Sequence, residues 1–266
     1  MPAGLLAGLL AGAIEDAAER AERVPLRVLE PMALDAPPAL DAVAAFAPRD
    51  SVHLIAEVKR ASPSRGALAE IPDPGALAGE YAAGGATAIS VLTEARRFGG
   101  SLDDLRAVRA AVGVPVLRKD FIGNEYQLLE ARAAGADLAL LIVAALDQRT
   151  LERLHEFTAQ LGMTALVEAH SAEELSRAAD VGARLVGVNA RDLDTFELDP
   201  GLFGRLADEF PPDAVRVAES AVRSPEDVAR YRAVGADAVL VGEALVTGGD
   251  PAAAVAAFID ATKAEV

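Results

Sequence analysis

The chain has 266 residues, 52% of them hydrophobic and 25% charged, which is enough apolar material for one large domain or two small ones and excludes intrinsic disorder. It contains no cysteine, so disulfide frameworks, thiolate zinc sites and cysteine nucleophiles are ruled out. Its net charge of −16 sets the overall field against nucleic acid as a partner.

The first 47 residues carry an Ala/Leu-rich helical segment near 4–22 and a proline-bearing stretch at 31–38. They read as an N-terminal helical extension that packs on the rest. The N-terminus has no basic segment and meets Glu15 and Asp16 before any apolar stretch could span a bilayer, so a cytoplasmic protein with no membrane partner is expected. From 48 to 266 the chain repeats. Apolar runs HLIAEVK (53–59), AISVLT (88–93), VPVLRKD (114–120), LALLIV (138–143), TALVEAH (164–170), LVGVN (185–189), VRVAES (215–220) and AVLVG (238–242) recur about every 27 residues. Gly85, Gly135, Gly182 and Gly235 each close a helically spaced segment just before one of these runs, giving the order helix, glycine stop, strand.

Strands that are apolar throughout belong to a parallel sheet covered by helices on both faces. Eight alternating units favour an α/β fold closed as a (β/α)8 barrel. An open doubly wound sheet would carry a G-x-G-x-x-G turn after its first strand, where this chain has SPSRG.

In such a barrel the chemistry sits at the C-terminal ends of the strands. Six runs end in polar groups: Glu57 and Lys59; Lys119 and Asp120; Glu168; Asn189 and Arg191; Glu219 and Ser220; and Gly242-Glu243. Strand alternation places Ile55, Glu57 and Lys59 on one face and Leu54, Ala56 and Val58 on the other. The apolar set is expected to meet the helices and the charged pair to enter the barrel mouth. An internal ion pair is the competing reading for Glu57.

Only Lys59, Lys119 and Lys263 are lysine among 25 basic residues. Arginine cannot release a proton near neutral pH, whereas lysine can when burial or a neighbouring cation lowers its pKa. Two lysines at strand ends therefore point to acid–base work, and Lys263 to a solvated charge. The turns after the seventh and eighth strands are candidates for an anion site, with helix-cap chemistry as the alternative for Ser220 and Gly242. Phe98 and Phe121 fall just past strands two and three and could line an apolar pocket or cover core. His53, His155 and His170 form no i, i+4 pair, so no metal is expected.

These residues resemble the indole-3-glycerol phosphate synthase family. The likeness runs over residues 50–250, through IAEVKRASPS from Ile55, SVLTE from Ser90, RFGGS from Arg97, LRKDFI from Leu117, LLIVA from Leu140, LVEAH from Leu166, GVNARDL from Gly187, VAES from Val217 and LVGEAL from Leu240. It implies the (β/α)8 fold with an extra N-terminal helix, and ring closure, decarboxylation and dehydration of 1-(2-carboxyphenylamino)-1-deoxyribulose 5-phosphate without a cofactor. It further implies Lys119 as general acid, Lys59 on the substrate carboxylate or sharing in proton transfer, Glu168 as base, and Glu57 and Asn189 as orienting groups. Arg191 complements the anionic substrate. Ser62, Ser220 and Gly242, with Glu219, Ala221 and Glu243 beside them, match the phosphate side, and Phe98, Phe121, Leu140 and Leu193 match the wall for the anthranilate ring. The partner is thus a small anionic molecule, and a monomer is the default expectation.

The chain departs from the family's usual pattern at Ala221, where glycine commonly follows the serine of VAES. A positive φ there would strain alanine by about 1 kcal/mol. The nearest rivals are phosphoribosylanthranilate isomerase, which favours a Cys/Asp acid–base pair that a cysteine-free chain cannot supply, and a barrel without catalysis.

Overall fold

The computed structural model describes residues 4–62, 66–246 and 249–263. The sequence motif IAEVKRASPS therefore continues, at Pro63 and Ser64, outside the described residues.

Eight parallel strands alternate with helices and close a barrel. They are β1 (His53–Val58), β2 (Ala88–Leu92), β3 (Val116–Lys119), β4 (Leu138–Ile142), β5 (Thr164–Ala169), β6 (Leu185–Asn189), β7 (Val215–Glu219) and β8 (Ala238–Val241). Each pairs with its neighbours in sequence, and β8 closes on β1. The register brings the rim together. Lys119 pairs with Leu92, Glu168 lies between Ile142 and Gly187, and Glu219 lies between Asn189 and Leu240.

Alternation divides the core in two. Leu54, Ala56, Val58, Ile89, Val91, Leu141, Val167, Val186 and Val239 face outward into the layer shared with the helices. Ile55, Leu117, Leu140, Leu166, Leu185, Val217 and Leu240 fill the barrel interior. Each of these side chains contributes about 1.5–3 kcal/mol by leaving water.

The outer helices are α4 (Pro74–Ala83), α5 (Leu102–Ala111), α6 (Glu125–Ala133), α7 (Gln148–Gln160), α8 (Ala172–Asp180), the short α9 (Leu202–Arg205), α10 (Pro225–Ala233), the single turn α11 (Glu243–Val246) and α12 (Pro251–Asp260). Most of the longer ones start on a side chain that satisfies an otherwise orphaned N–H: Asp73, Ser101, Asn124, Asp147, Ser171 and Asp250 each accept from the residue three positions on. Such caps fix where each loop hands the chain to its helix.

Before the barrel come α1 (Leu5–Arg23), α2 (Leu26–Leu34) and α3 (Ala42–Ala45). Leu6, Leu9 and Ala13 of α1 belong to the interior cluster from above, and Ala42 and Phe46 join it from below. α1 therefore roofs the C-terminal rim while Phe46, edge-on to His53 at 5.3 Å, plugs the opposite end.

Two features go beyond the sequence expectations. Pro31, at the start of the proline-bearing stretch, lies inside α2, and the helix closes with Asp35 N–H donating to the Pro31 carbonyl at 2.9 Å. Proline normally disrupts a helix interior; here α2 is held by packing Leu29 and Ala33 against Leu129 of α6. The loop after β1 also contains a two-residue antiparallel ribbon pairing Ala61 with Ala67 and Ser62 with Gly66. Among the described residues no helix is long and apolar enough to cross a membrane.

Candidate active site

A cavity of about 570 Å³ opens at the C-terminal ends of the strands. Every position singled out from sequence lines it: Glu57, Lys59, Ser62, Phe98, Lys119, Phe121, Leu140, Glu168, Asn189, Arg191, Leu193, Glu219, Ser220, Ala221, Gly242 and Glu243. Asp120, which the strand-end pattern also brings to this rim, lines it too, as do Phe196 and Arg223, which sequence reasoning does not place in the site.

The charged centre is built from four strands. On β1, Glu57 is 3% exposed and Lys59 Nζ lies 2.6 Å from its Oε2. Both face inward, as alternation requires. Gly242, just past β8, makes this possible: a Cβ there would sit 2.6 Å from Glu57 Oε2 and 3.2 Å from Lys59 Nζ. Its missing side chain thus admits the ion pair, a role distinct from the anion contact expected of it.

Lys119, at the end of β3, reaches between two carboxylates. Its Nζ is 3.5 Å from Glu168 Oε2 and 3.4 Å from Glu219 Oε2. Glu168 Oε1 accepts from Asn189 Nδ2 at 3.1 Å. The Asn189 carbonyl oxygen in turn accepts from Ser220 Oγ at 2.7 Å and from the Arg191 N–H at 3.0 Å. One amide therefore ties the ends of β5, β6 and β7 together. Gly187 provides room on the opposite side, since a Cβ there would fall 2.0 Å from Glu219 Oε1.

Burial disfavours every charge in this cluster, and the partners decide each outcome. Burial pushes Lys119 down, but Glu219, Glu168 and Glu57 outweigh it and raise the lysine above its ordinary value. This reverses the expectation of a depressed lysine, which rested on burial and neighbouring cations; the neighbours are carboxylates. Burial pushes Glu57 up, and Lys59 and Lys119 overcome it, leaving the carboxyl below its usual range. Glu168 follows the same pattern, held low against burial by Lys119, His170 and Asn189. Glu219 goes the other way. Burial and the neighbouring Glu168 charge push it up to about 8 despite Lys119, so near neutrality it holds a proton.

The apolar side is equally well supported. Glu94 is 4% exposed and uses its carboxylate to accept from the N–H groups of Arg96, Arg97 and Phe98 at 2.7–3.0 Å, folding the turn that carries Phe98. Asp120 accepts from Thr93 Oγ1 at 2.6 Å, from Arg118 Nη2 at 2.9 Å and from the Phe121 N–H at 2.9 Å. The two rings meet with centroids 6.2 Å apart. On the far side, Ser220 and Ala221 both adopt positive φ, 66° and 55°, in the left-handed region that disfavours a Cβ. The conditional expectation at Ala221 is thereby resolved toward strain.

The family profile of indole-3-glycerol phosphate synthase matches residues 6–258. The chain belongs to the indole-3-glycerol phosphate synthase family. It is 66% identical over 258 residues to the indole-3-glycerol phosphate synthase of Leifsonia xyli, covering 97% of this chain and 99% of that one. The enzyme of the same name from Streptomyces griseus is 60% identical over 246 residues, covering 92% and 91%. Among solved structures, 3-hexulose-6-phosphate synthase from Salmonella typhimurium superposes with a TM-score of 0.64 at 17% identity, over 79% of this chain and 98% of that one, a likeness of fold.

Within this indole-3-glycerol phosphate synthase fold, sequence reasoning passed over His170. By sequence it counts only as a metal-ligand candidate, and among the described residues no group of three His, Asp or Glu could hold a metal. Its imidazole instead stands 3.6 Å from Glu168. The readable signal was the run Glu168-Ala169-His170-Ser171, which carries two titratable groups to one face at a strand end.

Proposed function

We propose that this chain, a carbon–carbon carboxy-lyase by family, converts 1-(2-carboxyphenylamino)-1-deoxyribulose 5-phosphate to indole-3-glycerol phosphate with the following division of labour. Lys119 protonates the ketose carbonyl oxygen as the aromatic carbon attacks. The aniline nitrogen feeds electrons into the ring during closure and recovers them as the carboxylate leaves as carbon dioxide. Glu168, as base and proton carrier, then takes the proton from the carbon beside the nitrogen and delivers one to the departing hydroxyl, so that water leaves. Lys59 holds the substrate carboxylate, with Glu57 fixing the lysine, and Asn189 orients Glu168 and the substrate hydroxyls. Ser62, Ser220, Ala221, Gly242 and Glu243 form the phosphate end, with Glu219 beneath it and Arg191 adding positive charge. Phe98, Phe121, Leu140 and Leu193 wall the anthranilate ring. The reading needs no cofactor and assigns the work to a single chain in the cytoplasm.

The observation that carries this assignment is the placement of Lys119 Nζ within 3.5 Å of both Glu168 and Glu219, on the cavity wall shared with Lys59. A charged ammonium held between the ionised Glu168 and the protonated Glu219 is a stored proton, and Glu168 is the group able to take one back. Lys119→Arg keeps the charge but cannot give up its proton. It is expected to lower kcat at least ~100-fold, in the range of lost acid–base catalysis, with KM little changed. Product fluorescence measures this directly, and near-normal kcat would remove Lys119 as the principal acid.

A further inference from the structure

His170 lies just beyond β5, two residues from Glu168 and outside the cavity lining. Its Nε2 is buried, makes no hydrogen bond, and stands 3.6 Å from Glu168 Oε1. On the other side of the ring, Nδ1 is 3.3 Å from Glu174 Oε2. The same Glu174 oxygen accepts from the His170 backbone N–H at 2.7 Å, and Ser171 Oγ accepts from the Glu174 N–H at 3.2 Å. The N-terminal turn of α8 therefore clamps the imidazole from behind and aims its free nitrogen at Glu168.

Glu168 has the Glu57 carboxylate and the protonated Glu219 as neighbours, and Lys119 is the cation on its cavity side. If Lys119 gives its proton to substrate, that cation is neutralised at the moment Glu168 must remain ionised. A second positive group behind Glu168 removes the conflict, because an opposite charge within ~4–6 Å favours the ionised carboxylate.

We propose that His170, held in place and charged by Glu174, is a positioning residue that supplies this second counter-charge and keeps Glu168 ionised as a base through the reaction. The inference rests on the assignment of Glu168 as base. The charged groups facing His170 are Glu168 on β5, Glu174 on α8, Glu219 on β7 and Asp192 in the loop after β6. All are acidic. Burial pushes the imidazole down, and Glu174, Glu168 and Glu219 overcome it to raise its pKa above the ordinary histidine value.

The test is the pH profile of kcat/KM for His170→Asn and Glu174→Gln against the wild type. Loss of the counter-charge raises the Glu168 pKa, so the acid limb is expected to move up by about 1 pH unit in H170N and by less in E174Q. The plateau is expected to stay within about twofold, so H170N is about tenfold slower on the acid side and nearly equal above it. A structural role would lower the plateau and leave the limb in place, and that result overturns the proposal, as does an unmoved profile. Imidazole NMR gives a readout free of turnover: His170 is expected to titrate above His53 and His155 in the wild type, and lower in both E168Q and E174Q. Unchanged titration in those variants also overturns it. Full activity in E168Q would instead defeat the assignment of Glu168 as base, a distinct failure.

Discussion

Ala221 holds a methyl group where the backbone suits glycine, with φ at 55° beside Ser220 at 66°. The strained pair is held from both sides: Ser220 Oγ donates to Asn189, and Tyr231 Oη donates to the Ser220 carbonyl at 3.4 Å. The left-handed conformation costs alanine about 1–2 kcal/mol, and glycine returns about 0.5–1 kcal/mol of that as extra freedom in the unfolded chain. Ala221→Gly is therefore expected to raise stability by no more than about 1.5 kcal/mol, to leave kcat unchanged, and to lower or preserve KM. Denaturant melts and steady-state kinetics check the three together; a clear rise in KM would show that the methyl group does not crowd the phosphate end. Glu219 makes a second residue-scale case. Its pKa in the folded protein is raised to about 8, so it favours the folded state at low pH, and that contribution is lost as pH climbs from the ordinary carboxyl value through about 8. Glutamine mimics the protonated form. The melting temperature of E219Q relative to wild type is expected to rise across that window and level off above it, even though activity falls. A difference that is flat with pH would contradict the buried proton.

Among the elements, the strands were the most legible and their neighbours the least. Eight runs stood out because a strand buried on both faces has no polar positions to interrupt it, and alternation correctly turned Ile55, Glu57 and Lys59 inward. What sequence could not supply was set by groups distant along the chain. The direction of the Lys119 shift depends on Glu168 and Glu219, about 50 and 100 residues away. The helix through Pro31 depends on Leu129, and the places of Gly187 and Gly242 depend on carboxylates from other strands. The same holds for α1, whose N-cap residue, Gly4, offers no side chain. Asp194, in the loop after β6, caps it from outside by accepting from the Leu6 N–H at 3.1 Å, and Arg96 after β2 binds Asp16 further along the helix at 2.6 Å. The roof is thus fastened to two rim loops, one of which carries Leu193 and Phe196 into the cavity. Asp194→Ala removes an N-cap and is expected to destabilise by about 1 kcal/mol. It should also raise KM more than it lowers kcat, since the loop loses its anchor while Lys119 and Glu168 keep theirs. Equal effects on both constants would mean that the cap serves stability alone.

For the whole molecule, a net charge of −16 surrounds the cavity to which we assign an anionic substrate. Lys59, Lys119 and Arg191, taken from the sequence alone, would give that rim a local excess of positive charge. The structure corrects this: those three and Arg223 share the wall with Glu57, Asp120, Glu168, Glu219 and Glu243. With Glu219 protonated the two sets balance, so the cavity attracts anions through directed contacts at short range, and at long range an approaching anion meets the acidic shell. That combination fixes the sign of a salt effect. At ~10 mM ionic strength the Debye length is ~30 Å and the shell's repulsion reaches well into solvent; at ~150 mM it is ~8 Å, which screens the shell more than contacts inside the mouth. Raising salt over this range at pH 7 is expected to increase kcat/KM for the phosphorylated, carboxylated substrate, the reverse of an enzyme steered by a basic surface. Above pH 8, where Glu219 ionises and the cavity gains negative charge, KM is expected to rise in wild type and less in E219Q. A fall in kcat/KM with salt would mean that the mouth projects positive field beyond the shell, which the paired lysines argue against.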